Sequence, residues 1–319
     1  MYLKCSLAAL TAALLVVAAA PSTSAVEKKH LYFVANGPVD FWKLAEAGMK
    51  KAQAELPNYT MEMKYPEQSS VAIQNRLLDD LLANGAAGFL LSAVEPKTQT
   101  QELDKLAAHS LLVTTDSDAL LSKRAFYLGS SNIEAGRQAA QILKKSMPNG
   151  GKCVAFAGQP GADNAVERLK GLSEGLKGTQ ITIDSTRSDE MDQARAQSNV
   201  ADILTARKDV NCMIGVFAYN TPQIYLALQQ AGRVGTVTVV GFDNDQGTLM
   251  GIKDGAVAGT VVQQPYQWGY LGYKYMAQYI DGDTSFIPAN RQIIIPTQII
   301  DKSNVDAFWS QLKVWLGKE

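Results

Sequence analysis

The chain has 319 residues, 46% hydrophobic and 19% charged, with a formal net charge of -1 at neutral pH. That balance excludes a disordered chain and a coiled coil, and the length accommodates two lobes with separate cores. Without a basic excess there is nothing to hold a nucleic acid or an acidic membrane surface.

The first 25 residues stand apart: Lys4, an apolar stretch from Leu7 to Ala20, then Pro21 and the small residues Ser22 to Ala25. A positive start, an apolar run too short to span comfortably and a small-residue ending describe a secretory signal cleaved after Ala25. An uncleaved anchor is the competing reading. Cleavage removes Lys4 and takes the net charge from -1 to -2. Export places Cys153 and Cys212 in an oxidising compartment. Both start expected strands, so they form a disulfide if those strands are neighbours and two separate buried thiols if they are not. Their spacing has no metal-site pattern, only His30 and His109 remain as further ligands, and no D-x-D-x-D-G calcium loop occurs, so neither a metal nor a cofactor is expected.

From His30 the chain alternates short apolar runs with amphipathic stretches. HLYFVAN predicts a strand, DFWKLAEAGMKKAQAEL a helix, and YTMEMKY a second strand. A helix from Ser70 to Leu82, the strand AAGFLLSA, a helix from Pro96 to Ala108 and the strand SLLVTTD come next. The rhythm then restarts: the strand KCVAFAG, a helix from Ala165 to Leu176, the strand TQITIDS and a helix from Met191 to Ala206. VNCMIGVFA and VGTVTVVGFD are strands on either side of the helix TPQIYLALQQAG. Trp268 to Ile280 is a helix, RQIIIPTQIID a strand and crossover, and Asn304 to Leu316 a terminal helix started by Ser303 or Asn304. Two βα arrays of like length predict an α/β protein of two doubly wound parallel-sheet lobes, crossed by the chain more than once and joined by a hinge.

In such sheets ligands bind at the carboxyl ends of the strands, so the residues just past each strand bear most directly on function. The ends read NGPVDFW, Ser92 before VEP, and TTDSDAL in the first array, then GQPGADNAVER, STRSDEMD, FAYNTP and GFDND in the second. Amides, hydroxyls, carboxylates and an arginine beside Phe41, Trp42, Phe217 and Tyr219 suit a polyhydroxylated neutral ligand. Neither a Walker loop nor GxGxxG spacing sits at a strand-to-helix turn, which argues against phosphate. Each residue has a plainer use: Asp116, Asp118 and Asp243 as helix caps, Phe41 and Trp42 as core, Arg168 as a solvated charge, Asn220 as a helix start. Convergence on one face favours the ligand reading.

With the pair at Phe41 and Trp42, TTDSD, YLGSSNIEAG, NAVER, FAYN, VVGFD and GTVVQQP in this order, the chain resembles the type I periplasmic sugar-binding proteins, the ribose- and galactose-binding group that feeds ABC importers. The resemblance runs from Leu31 to about Ile300, although VVGFD alone is shared with lactose-repressor-type regulators. It implies three crossovers, with an N-terminal lobe of residues 26-130 plus 264-292 and a C-terminal lobe of residues 131-263 plus 293-319. The ligand-holding residues it implies are Phe41, Trp42, Asp116, Arg168, Asn220, Asp243 and Gln263. Ser92 falls where ribose binders have asparagine, Asn164 where galactose binders have aspartate, and Met191 where ribose binders stack a phenylalanine. Asp118 departs from the ribose pattern too, because the aspartate-arginine pair expected at Asp116 is here Asp116, Ser117, Asp118. Losing that planar donor fork points away from ribose and toward another small sugar, a polyol or a cyclic sugar derivative.

The function this implies is capture by lobe closure in a monomer, with delivery to an ABC permease and a chemoreceptor or sensor kinase as a further partner. Two rivals differ in kind. A secreted sugar hydrolase would use Asp116 and Asp243 as an acid-base pair, against which Arg168 is expected to keep both ionised. A sugar-sensing transcriptional regulator would need a helix-turn-helix where this chain has its signal segment.

Overall fold

The computed structural model describes residues 1-2 and 28-318, so nearly all of the expected leader lies outside the described residues. The chain forms two six-stranded sheets of matching order. The first contains β1 (Lys29–Val34), β2 (Tyr59–Lys64), β3 (Gly88–Leu91), β4 (Leu111–Thr114), β5 (Phe126–Gly129) and β11 (Gln292–Ile294), ordered β11-β5-β4-β3-β1-β2. The second contains β6 (Gly151–Ala157), β7 (Ile181–Ser188), β8 (Val210–Gly215), β9 (Thr238–Phe242), β10 (Gly259–Val262) and β12 (Gln298–Ile300), ordered β12-β10-β9-β8-β6-β7. All pairings are parallel except β10 with β12. Both sheets have the doubly wound order that opens a crevice at the carboxyl ends of their strands.

Helices cover both faces of each sheet. In the first lobe α1 (Lys43–Gln53) and α9 (Pro265–Ile280) pack together over one core around Phe33, Trp42 and Trp268. On the opposite face α2 (Val71–Ala83) and α3 (Thr100–His109) enclose a second core of Leu78, Phe89 and Leu103. In the second lobe α4 (Asn132–Ser146) and α5 (Asp163–Gly175) cover one face, while α6 (Gln193–Ala206), α7 (Asn220–Gln230), α8 (Gln246–Lys253) and α10 (Val305–Trp315) cover the other. Burying apolar strands on both faces explains why they read as continuous apolar runs rather than alternating ones.

The chain crosses between lobes at Ser130-Ser131, Gln263-Gln264 and Ile295-Thr297. Because β11 pairs with β5, the first sheet keeps the chain as far as Ile294, two residues beyond the expected boundary after residue 292. The crossovers are tied to one another: Ser130 Oγ donates to the Ile295 carbonyl (3.3 Å) and Gln264 Nε2 to that of Pro296 (2.6 Å). Cys153 and Cys212 stand opposite each other on β6 and β8 and form a disulfide, with Cα atoms 4.4 Å apart.

Four elements, β5, α4, α8 and β10, are absent from the expected series. The two strands have only four residues each, too few for a periodic signal. For α4 a signal was present: Ser131 accepts from the Glu134 backbone N–H (3.3 Å), the serine half of a Ser-x-x-Glu capping box. The helix expected from Pro96 starts instead at Thr100, because Gln99 turns its side-chain oxygen to the Glu95 N–H (2.9 Å) and holds the intervening residues in turns. Met191 likewise precedes its helix, which Asp192 caps by accepting from Arg195 N–H (2.9 Å).

Candidate functional site

Asp116 and Asp243 occupy equivalent places in the two lobes, just past β4 and β9. Both adopt a left-handed backbone, with φ of 55° and 64°, a conformation that aspartate tolerates better than branched residues do. Neither caps a helix. Asp116 Oδ2 accepts from Ser92 Oγ (3.0 Å), and Ser92 is itself held by Gln74, whose amide donates to the Ser92 carbonyl (2.9 Å). Asp243 Oδ1 accepts from Gln263 Nε2 at the second crossover (3.2 Å), and its Oδ2 lies 3.7 Å from Arg168 Nη1.

Arg168 is not a solvated charge, being only 2% exposed. It is placed by a close crossing of α4 and α5, where a side chain at Gly136 would collide with the Arg168 carbonyl and one at Gly171 with that of Ile133. Its Nε donates to Asn132 Oδ1 (3.1 Å), its Nη1 to the Val216 carbonyl (2.7 Å), and the guanidinium lies 4.8 Å from the Phe242 ring centre. Such fixing costs a bound ligand little reorganisation.

The two lobes meet electrostatically at this point. Part of the Asp116 surface still reaches solvent, yet protein crowds around it, and its carboxyl is pushed up to about 6. Burial is the largest cause; Arg168 and the Ser92 hydrogen bond pull it down, and Asp243 pushes it up. Arg168 was expected to keep Asp116 ionised; desolvation outweighs the cation and raises the carboxyl, yet at about 6 it stays mostly ionised at neutral pH. At the rim, Lys97 of the first lobe pairs with Asp163 of the second (2.9 Å).

Two expected residues, Trp42 and Asp118, stand elsewhere. Trp42 is 1% exposed, its ring boxed in by Phe33, Phe41 and Trp268 with its indole N–H on Asn36 Oδ1 (3.3 Å), so it is core and has no face for a ligand. Of the aromatic pair only Phe41, half-buried and edge-on to Trp42, keeps a free surface. Asp118 is saturated by Arg124, which donates Nε to Oδ1 (2.6 Å) and Nη2 to Oδ2 (2.7 Å), with Thr114 Oγ1 adding a third bond (2.6 Å). That fork ties the loop after β4 to the start of β11, since Arg124 Nη1 also reaches the Arg291 carbonyl (3.0 Å). Met191 is 56% exposed and makes a loose wall near Tyr219, its sulfur 3.7 Å from the phenol oxygen. Asn164 is half-buried and accepts from its neighbour's N–H (2.8 Å), and its amide nitrogen has no hydrogen-bond partner among the described residues.

Asn220 is 1% exposed, with Oδ1 accepting from Phe217 N–H (3.0 Å) and Nδ2 donating to Asp189 (2.7 Å). Asp189 was not among the expected residues although it lies within the STRSDEMD segment, directly past the end of β7, where the same rule of polar strand ends would have found it. Among the groups gathered here, acceptors outnumber donors, an arrangement that matches a ligand rich in hydroxyl groups.

Residues 32–284 match the family model described as the periplasmic binding protein domain, and the chain belongs to that family. Over 206 residues it is 25% identical to the ribose import binding protein RbsB of Bacillus subtilis, spanning 64% of this chain and 66% of that protein. Over 296 residues it is 22% identical to the Haemophilus influenzae ribose import binding protein RbsB, spanning 90% and 98%. Among solved structures, the D-arabinose complex of an ABC transporter solute-binding protein from Burkholderia graminis superposes with a TM-score of 0.81 at 26% identity, covering 88% of this chain and 97% of the other.

Proposed function

We propose that this protein captures one small sugar or polyol between its lobes and delivers it to the permease of an ABC importer, working in the periplasm after loss of residues 1-25. The observation that carries the reading is the interlobe constellation itself, in which Asp116 of one sheet edge is within electrostatic reach of Arg168 and Asp243 of the other. Asp116 and Asp243 accept from ligand hydroxyls, Arg168 donates, Asn220 and Gln263 do either, and Phe41 covers an apolar C–H face. A ligand touching both lobes favours the closed state by its differential contacts, and the permease reads that state. Relatives named as import binding proteins support binding without turnover.

The test is thermal unfolding of the mature protein against D-ribose, D-arabinose, other pentoses and hexoses, polyols and cyclitols. A ligand at one hundred times its dissociation constant adds about 2.7 kcal/mol, which raises the midpoint by a few degrees in a chain of this size. A flat panel from folded protein free of copurified ligand refutes the sugar reading, and turnover of labelled glycosides would replace binding by hydrolysis.

A further inference from the structure

Asp189 is completely buried at the end of β7, and its three partners are all neutral donors. They are the Tyr219 hydroxyl, Asn220 Nδ2 (2.7 Å) and the Met191 backbone N–H (3.0 Å). Two of the three belong to residues assigned to the ligand site. A buried carboxylate is costly unless hydrogen-bonded, so a group spent wholly on the wall of a binding cleft calls for a role there.

We propose that Asp189 is a positioning residue for ligand recognition, fixing which hydrogen-bonding edge Asn220 presents to the sugar; the inference rests on the sugar-binding reading above. A backbone N–H can only donate, so Phe217 selects Asn220 Oδ1; a carboxylate can only accept, so Asp189 selects Nδ2. The amide orientation follows from chemistry alone. What remains to Asn220 is one N–H and one lone pair, in a set fixed before any ligand arrives. Tyr219 is set in the same way: its proton is spent on Asp189, leaving the oxygen an acceptor. Its phenol is raised well above the usual range by burial first and by Asp189 second.

The same carboxylate holds the wall's backbone. Glu190 and Met191 are consecutive non-glycine residues with φ of 53° and 67°, a conformation that side-chain-bearing residues seldom adopt. The Met191 N–H on Asp189 and the Glu190 N–H on the Gly158 carbonyl (2.9 Å) pin this turn to the end of β6. Gly158 completes it, since a side chain there would collide with both Met191 Sδ and the Tyr219 hydroxyl. Asp189 thus sets the Asn220 edge, the Tyr219 hydroxyl and the Met191 wall without touching the ligand.

Asp189→Asn preserves shape but sets one amide nitrogen against another at Asn220, which turns the Asn220 edge over. The double variant Asp189→Asn, Asn220→Asp restores the hydrogen bonds to position 189 and to Phe217 but leaves no N–H for the ligand. Calorimetric titration with D-ribose, D-arabinose, D-xylose and D-galactose should show the sugar bound by the unmodified protein weakened at least about tenfold by Asp189→Asn. The double variant should recover the melting midpoint while staying weak, which a purely structural role would not give. Unchanged affinity in folded Asp189→Asn, or recovered affinity in the double variant, overturns the proposal. If the unmodified protein binds none of the four sugars, the sugar reading fails and the Asn220 side-chain amide signals decide the positioning: displacement by Asp189→Asn upholds it, and unmoved signals overturn it.

Discussion

Asp243→Asn is the sharpest single perturbation of the site, because asparagine matches the shape of aspartate and also tolerates the φ of 64° found there. Alanine would add backbone strain of about 1 kcal/mol and confuse the result. The substitution removes an ionised acceptor, and a hydrogen bond to a charged group contributes about 1.5–3 kcal/mol, so affinity should fall about tenfold to 150-fold. Stability should change less. Arg168, 2% exposed and 3.7 Å from Asp243, loses a neighbouring charge but keeps Asn132, the Val216 carbonyl and the Phe242 ring. Gln263 can still donate to the new carboxamide oxygen. Titration calorimetry with the sugar found in the panel gives the affinity, and differential scanning calorimetry the stability. Affinity within twofold of the unmodified protein, in a folded variant, would remove Asp243 from the site and refute the reasoning.

The raised Asp116 carboxyl gives a pH signature of two opposite signs. A ligand hydroxyl donates to the ionised form, so affinity should be full above about pH 6 and weaken by up to about tenfold per unit below it. The contribution to fold stability runs the other way: the folded state holds a proton that the unfolded state has released, so stability from this group is present below 3.8 and lost as pH rises to about 6. Titrations between pH 4 and pH 8, and an Asp116→Asn control that flattens both profiles, check this. Asp118→Asn should destabilise by about 3–5 kcal/mol, because it strips the counter-charge from Arg124, 1% exposed, while leaving sugar affinity of the folded protein unchanged. Trp42→Phe should lower stability by about 1–3 kcal/mol and leave affinity within twofold, as measured by denaturant unfolding and calorimetry; a large affinity loss would return Trp42 to the site.

The two-lobed architecture was legible because buried parallel strands announce themselves as apolar runs, and most helices announce themselves by their apolar stripe. What escaped was mostly short or irregular: β5 and β10 have four residues each and the third crossover is displaced by a strand of three, while the 15-residue α4 was overlooked despite its serine cap. In the site, Asp116, Arg168, Asp243 and Gln263 come together as their positions after the strands suggested, since a sheet edge gathers the residues at which its strands end. Asp118 and Trp42 were misassigned for a physical reason. Position along the chain tells which residues reach the cleft rim, but not which are already satisfied: Asp118 faces an arginine six residues on, and Trp42 turns inward beside Phe41, which does not. Asp189 was missed by the converse error, because its importance lies in what it holds and not in what it shows to solvent.

Lobe closure by a sugar is the central claim, and the rim pair Lys97 and Asp163, 2.9 Å apart, offers the place to watch it. Spin labels at Lys97→Cys and Asp163→Cys would report the interlobe distance, because Cys153 and Cys212 are buried in a disulfide and take up no label. On titration with the panel, one sugar should collapse the distance distribution to a short, narrow one, saturating at one ligand per protein, and Asp243→Asn should shift that response to higher concentration. A distribution indifferent to every sugar at saturating concentration would contradict the account.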